Sequence, residues 1–570
     1  MTTMLFLVLS LVVLRVALGA QVPIIQKEML PEKDSTWDLK QRLPANATGH
    51  FVFLSVASFL QHWPNTLYRN GHTIVPGTIP RGTLLYHGAL MNQIPSQHDW
   101  VATDPEHANL FCFGNEERGC WQLTLMAKRE LKVLYFDGSS AAKMTGGAMD
   151  SQDILIWGEP RPEYVFDEAR RIAKLCEWGK GRGVDGFVRM GVDFEIMLCD
   201  LNEGTHVVSF LNLLAKEAII LAHPPAVAPG TPYSHHSAPT DLSSGPPQEA
   251  PLPPLPQFQF GIIFLNRHKE FRAIESGSWH NHYPGDPRIQ LDLTRLISFY
   301  DTNLFPSLVS GRVGKPRRKH RLEEITKDDV RRMYERLDEG LDQGSGGSGV
   351  DWRAIVEVVM NRYGKRLELL QYVLQGGLEG GLGDGRNYTA IALDAHDYIA
   401  AMLAPYTIHT AVPGDLQDKT NLSWASPVFK ECSTAHTASI ATVFHSQLTP
   451  SERLILDSIQ DTTKEICRVL VHVWAEGMVL KSHRLSLPED DLVDLLKVVR
   501  RWEESILGLM EWLAWDVWTT CRPACGFEEM CYLPTWPFFF HDSQGPPDLD
   551  GLPKPYCIRR LPPYTRSFTG

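Results

Sequence analysis

Between His223 and Pro256 the chain reads HPPAVAPGTPYSHHSAPTDLSSGPPQEAPLPPLP. Proline at this density removes backbone donors and fixes φ, so neither helix nor sheet survives, and residues 223–256 are an extended linker or loop. The pair His235 and His236 within it is solvated. The 570 residues therefore divide into ordered parts on either side, and a chain of this length holds roughly two to four domains. Hydrophobic residues make up 43% and charged residues 21%, a globular balance that excludes wholesale disorder. The formal net charge of −12 sets nucleic acid and anionic membrane surfaces aside as main partners, because both repel it.

N-terminal to the linker, residues 77–222 alternate short apolar runs (84–86, 121–125, 132–136, 187–189, 194–199) with helical stretches, the pattern of an α+β domain. Its most informative piece is GVDGFVRMGVDFEIMLCD, residues 183–200. A helix pattern from Asp167 to Lys180 closes at Gly181 and Gly183, and Val184-Asp185-Gly186 is a tight turn in which Gly186 is expected at positive φ. A hairpin follows. Its second strand sets Glu195 among Phe194, Ile196, Met197 and Leu198, so a carboxylate alternates with core residues and faces water or a cleft.

Two further motifs precede it. Residues 81–89 read RGTLLYHGA and residues 100–111 read WVATDPEHANLF. With the helix, Asp-Gly turn and Glu-bearing strand, they resemble the ADP-ribosyltransferase-like fold of the histidine class over about residues 77–205. The resemblance implies a mixed sheet and NAD as substrate. Glu195 would contact the nicotinamide ribose and stabilise the oxocarbenium-like charge that forms as the glycosidic bond breaks. His87 would hold the adenosine ribose, and Thr103 would support Glu195. Gly88 and Trp100 would line the substrate site. The acceptor would be a protein side chain, a nucleotide or water. The chain departs from that pattern at the second motif, where no tyrosine stands near Trp100 to Thr103 to stack on nicotinamide. A second reading is therefore a catalytically inactive domain kept for its shape in a binding or structural protein. Over nearly its whole length the chain also resembles a group of secreted proteins of filamentous fungi, through LYFDGSSAAKM (134–144), MDSQDILIWGEP (149–160) and CRPACGFEEMCYLPTWPFFF (521–540).

The compartment follows from the ends and the cysteines. An apolar run from Met4 to Leu14 precedes Ala17, Gly19 and Ala20, so residues 1–20 read as a secretory signal; the run is short of the roughly 20 residues of a membrane span. An uncleaved N-terminal anchor is the alternative, and a membrane enters only in that case. Ten cysteines suit an oxidising route. Cys112 and Cys120 bracket a short polar loop and read as a local disulfide, whereas Cys521, Cys525, Cys531 and Cys557 read as two disulfides whose pairing stays open. Asn46, Asn387 and Asn421 stand in Asn-x-Ser/Thr triplets open to glycosylation.

The remaining order is an N-terminal extension (21–76) carrying one amphipathic helix from Phe51, a mixed segment (257–350), a mainly helical domain (351–520) and a Cys-rich tail (521–570). Residues 137–140, DGSS, are ordinary turn chemistry. In the mixed segment His280 and His282 lack an acidic neighbour at a metal spacing, so no metal is assigned. Arg317-Arg318 is a solvated basic run or a dibasic cleavage site, and 343–349 is a flexible Gly/Ser break. In the helical domain Thr449-Pro-Ser-Glu452 is a capping box, and Leu495, Val499, Trp502, Ile506, Leu509 and Leu513 form one apolar stripe.

Overall fold

The protein is described by a computed structural model covering residues 37–112, 119–144, 146–213, 267–342, 346–376, 387–414, 416, 421–483, 492–538 and 552–561. The expected signal at 1–20, the expected linker at 223–256 and residues 343–345 of the Gly/Ser segment lie outside the described residues. Two compact units interleave along the chain. One comprises Leu60–Gly71, Pro76–Leu291 and Thr520–Gly570; the other comprises Met1–Phe59, His72–Val75 and Asp292–Thr519. The Cys-rich tail thus belongs with the α+β segment, and the extension is shared between the units.

The first unit is α+β. Its strands are β1 (Thr73–Ile79, entering the unit at Pro76), β2 (Leu84–Ala89), β3 (Asp99–Ala102), β4 (Trp121–Ala127), β5 (Leu131–Phe136), β6 (Gly186–Met190), β7 (Phe194–Leu198), β8 (Thr205–Asn212) and β9 (Gln290–Leu291). The order is β1-β5-β6-β7-β3-β2-β4-β8, with β9 on β1. The sheet is mixed: β5 and β6 run parallel, while the β6, β7, β3, β2, β4 and β8 neighbours are antiparallel. Every residue of β6 and β7 is buried, as expected where both faces of a strand are covered. Helix Glu168–Lys180 leads into β6. Its N-cap Asp167 accepts from the amide of Arg170 at 3.2 Å, which satisfies one of the orphan donors of the first turn.

The turn differs from expectation in its glycines. Gly183, at φ +66°, takes the left-handed conformation, whereas Gly186 is small for another reason: a Cβ there would lie 2.8 Å from the Met197 carbonyl oxygen across the β6–β7 pair. Asp185 clamps this corner. Its carboxylate takes a forked pair of bonds from Arg129, at 2.8 and 2.7 Å, and one from the Lys132 amide at 2.7 Å.

The tail completes this unit. Strands β11 (Glu529–Tyr532) and β12 (Tyr556–Arg559) pair antiparallel, and Tyr532, Phe538 and Ile558 pack with Phe271 and Ile274 of helix Arg267–Gly277. Cysteine pairing follows the expected set and adds to it. Cys112–Cys120 closes its loop, and the tail pairs as Cys521–Cys531 and Cys525–Cys557. Cys176–Cys199 ties helix Glu168–Lys180 to the end of β7, and Cys432–Cys467 joins two helices of the other unit.

The second unit is mainly helical. Helices Trp352–Leu374, Tyr388–Leu403, Pro450–His483 and Leu492–Leu513 pack on one another. The capping box is formed as read: Thr449 N–H donates to Glu452 at 2.8 Å and Glu452 N–H to the Thr449 hydroxyl at 3.1 Å. Strand β10 (Ile297–Ser298) pairs with Thr73 and Ile74 inside this unit. Helix Gly49–Ser58 is not the amphipathic element expected. Its residues from Val52 to Ser58 are all buried, which makes it a core helix. Arg317 is not part of a solvated run either. It is 5% exposed and donates to the Phe51 carbonyl and the Ser55 hydroxyl, at 3.3 Å each. Asn46, Asn387 and Asn421 are exposed. Asn387 caps helix Tyr388–Leu403 by accepting at its Oδ1 from the Ala390 amide, at 3.1 Å. No described helix is long and apolar enough to cross a membrane.

Candidate functional site

The three motif strands are consecutive neighbours, β2-β3-β7. Their register pairs Tyr86 with Ala102, Ala102 with Glu195, and Glu195 with Arg189 of β6. Residues paired across antiparallel strands project from one face. Tyr86, Ala102, Glu195 and Arg189 therefore form one row. His87 is one residue along, so its side chain leaves the opposite face. The expected meeting of His87 and Glu195 in one cleft is not formed. His87 is instead buried, with Nδ1 2.7 Å from the Trp100 carbonyl oxygen and Nε2 3.9 Å from the Asp99 carboxylate.

Glu195 does not face open water. Arg189 donates to its Oε1 from Nε at 3.1 Å and again from Nη2. The same guanidinium pairs with Glu168 at 2.6 Å and reaches the Gln152 side-chain oxygen at 3.4 Å. Lys143 pairs with Glu168, and Arg171 with Asp153. The result is a buried set of cations and anions between the sheet row and helices Asp150–Trp157 and Glu168–Lys180. Burial pushes the Glu195 carboxyl up, but Arg189, Lys143 and His107 more than offset it and leave it below its ordinary value. Burial, reinforced by Arg189, holds the Lys143 amine well below the usual lysine range. Asp153 is pushed up to about 6 by burial despite Arg171.

The other residues implied by the resemblance have structural partners. The Thr103 hydroxyl donates to the Phe194 carbonyl at 3.4 Å and not to Glu195. At Gly88 a Cβ would sit 2.1 Å from the Ala108 carbonyl oxygen, so glycine lets helix Pro105–Asn109 lie against β2. Trp100 is half-buried, edge-on to Phe111 at 4.2 Å.

A second charge cluster adjoins the row through Thr103, and sequence spacing did not reveal it. His280 sits in a 3-10 turn, Ser278–His280, rather than on a strand. Its Nε2 is 2.9 Å from Asp104 and 3.9 Å from Asp193, and its Nδ1 is 3.5 Å from Asp286. Arg288 bonds both Asp104 oxygens, at 3.0 and 2.9 Å, and both Asp286 oxygens, at 2.8 Å each, and donates to the Thr103 carbonyl. Asp104 lies 176 residues from His280 in sequence, so no local spacing announces the pair. Asp104, Asp193 and His280 offer ligand atoms within 4.8 Å of one another. The cation in the cluster is nonetheless already supplied: Arg288 covers the Asp104 carboxylate, and the acidic ring raises the His280 pKa above its ordinary value against the effect of burial. This fits a self-neutralised network better than a metal centre.

Asp193 gives the cluster a pH signature. It is fully buried, its Oδ2 has no hydrogen-bond partner among the described residues, and burial pushes its carboxyl up to about 7 in spite of His280. The native state then binds more protons than the unfolded state between the ordinary carboxylate value and about 7, so this group's contribution falls as pH rises through that window. Asp193→Asn keeps the acceptor for the Phe194 amide and removes the titration. We expect the variant to be more stable than wild type at pH 8, on the order of 1–3 kcal/mol, with the gap closing towards pH 4. Thermal unfolding across that range checks it; a variant less stable at pH 8 contradicts it.

The described architecture is that of a disulfide-bonded α+β protein with a helical second unit and a buried Arg189–Glu195 pair at the β6–β7 hairpin. The chain belongs to the family of the YPL277C N-terminal domain, whose model matches residues 43–124 and 115–333, just over half of the chain. It is similar to uncharacterized protein YOR389W of Saccharomyces cerevisiae, 24% identical over 538 residues that cover 85% of this chain and 81% of the relative. It is also similar to uncharacterized protein YPL277C of the same yeast, 25% identical over 397 residues, 60% of this chain and 78% of the relative. No solved structure matches the chain.

Proposed function

We propose that the α+β unit is an ADP-ribosyltransferase-like domain kept for its shape, and that the chain is a secreted binding or structural protein that does not turn over NAD. The observation that carries this reading is the Arg189–Glu195 pair. A carboxylate that stabilises a developing oxocarbenium must be free to meet it, whereas Glu195 is 9% exposed and bonded twice by one guanidinium. The projection of His87 from the sheet face opposite Glu195 and the absence of a tyrosine near Trp100 support the same reading. Five disulfides among the described cysteines suit an extracellular setting.

The adjacency of β2, β3 and β7 favours a second reading, an active NAD glycohydrolase or transferase with Glu195 and His87 as its catalytic pair, because it sets all three motifs side by side. Nicotinamide release from NAD separates the two. The purified chain is expected to release none above the buffer rate. Release that disappears in Glu195→Gln would establish the enzyme and overturn the proposal.

A further inference from the structure

The helical unit holds a cavity of about 730 Å³, within the roughly 300–1,000 Å³ typical of small-ligand sites. Its walls come from helices Pro450–His483 and Leu492–Leu513, from residues 39–51 and from the loop at 312–315. Although the chain is acidic as a whole, with a formal net charge of −12, the charges at this cavity are mostly positive. Two of its arginines are already neutralised: Arg468 forks onto Glu465 at 2.7 and 2.6 Å, and Arg501 pairs with Glu476 at 3.1 Å. Lys40, Arg42 and Lys315 also line the cavity, are exposed, and make no ion pair among the described residues. Glu504 is the wall carboxylate left to set against them.

Behind this wall stands a fourth cation. Arg312 is 7% exposed, donates once to the Phe299 carbonyl at 2.6 Å and lies over the Tyr300 ring at 4.7 Å. Its Nε and Nη2 have no hydrogen-bond partner among the described residues. Burial lowers its pKa only to about 10, with Glu324 acting at longer range in the opposite sense, so it stays charged at neutral pH, and among the described residues no carboxylate forms an ion pair with it. A buried cation without a contacting carboxylate beside a cavity projects a positive field into it. One part of the wall is aromatic. Trp512 is half-buried and stacks on His50 at 4.1 Å between ring centres. Burial and then Arg317 push His50 down to about 3, so it is a neutral ring there.

We propose that this cavity binds a phosphorylated small molecule with a flat apolar body, its phosphates met by Lys40, Arg42 and Lys315 and its body packed on Trp512. The site lies wholly in the helical unit and is independent of whether the α+β unit acts on NAD. The probe is ADP, titrated calorimetrically into the full mature chain at low salt beside adenosine and inorganic pyrophosphate. ADP is expected to bind, more tightly than pyrophosphate and far more tightly than adenosine, with affinity falling as salt rises. Arg42→Glu with Lys315→Glu is expected to weaken ADP at least about tenfold. Both residues are exposed, so the melting temperature without ligand should not move, which separates lost binding from lost folding. Failure of ADP to bind at low salt, or binding that the charge reversals leave unchanged, overturns the proposal. Pyrophosphate binding as tightly as ADP overturns the contact with Trp512.

Discussion

Replacing Arg189 by methionine is expected to lower the stability of the α+β unit by about 3–5 kcal/mol, on the order of 10 °C in melting temperature. The side chain is 2% exposed and serves two carboxylates, Glu195 and Glu168. Methionine fills much of the volume but leaves the Glu195 carboxylate without the guanidinium that bonds it twice. Breaking a buried pair by removing one partner costs far more than the pair contributes net, because the survivor keeps its desolvation penalty. The pH dependence has a definite sign. In the wild type the Glu195 pKa is lowered, so its stabilisation is present above the unfolded carboxylate value and is lost as pH falls. The difference between wild type and variant should therefore shrink below about pH 4. Arg189→Lys retains a charge without the fork and should cost less.

Removing the Cys525–Cys557 bridge with a pair of serines is expected to cost about 3–4 kcal/mol, the loop-closure value for a sequence separation of 32 residues. Little else in regular structure holds the tail, since β11 and β12 have four residues each and an isolated two-stranded ribbon is marginal. Its apolar side chains also cover Phe271 and Ile274. The loss should appear in hydrogen exchange as faster exchange in peptides spanning 529–532 and 556–559, extending into helix Arg267–Gly277. Protection unchanged from wild type would contradict the role given to this bridge.

Local features were legible in the sequence where one element carries its own chemistry. The Thr449–Glu452 box, the 112–120 loop and the Glu195 strand were all readable, because capping, loop closure and strand alternation act over a few residues. Arg189 was within reach: a hairpin turning at Gly191–Asp193 pairs positions 189 and 195, so the hairpin pattern contained the partner that explains a carboxylate in an apolar strand. The four cysteines left over after the loop and the tail likewise required partners, but only the tertiary structure could choose Cys176 with Cys199 and Cys432 with Cys467. The Asp104–His280–Asp286–Arg288 cluster carried no local signal, since its members come from a strand end and two distant turns. Burial of Arg317 was equally hidden, because a run of basic residues gives no sign of which side chain finds the core.

Glu195 is bonded by Arg189, and on the function proposed above it takes no part in NAD chemistry. A double-mutant cycle with Arg189→Met, Glu195→Gln and the pair, followed by unfolding free energy and by nicotinamide release from NAD, tests it most directly. A coupling of at least about 1 kcal/mol between the two positions and no release by any of the four proteins are expected. Additive effects within about 0.5 kcal/mol, together with wild-type NAD turnover that vanishes in Glu195→Gln at an unchanged melting temperature, would contradict it.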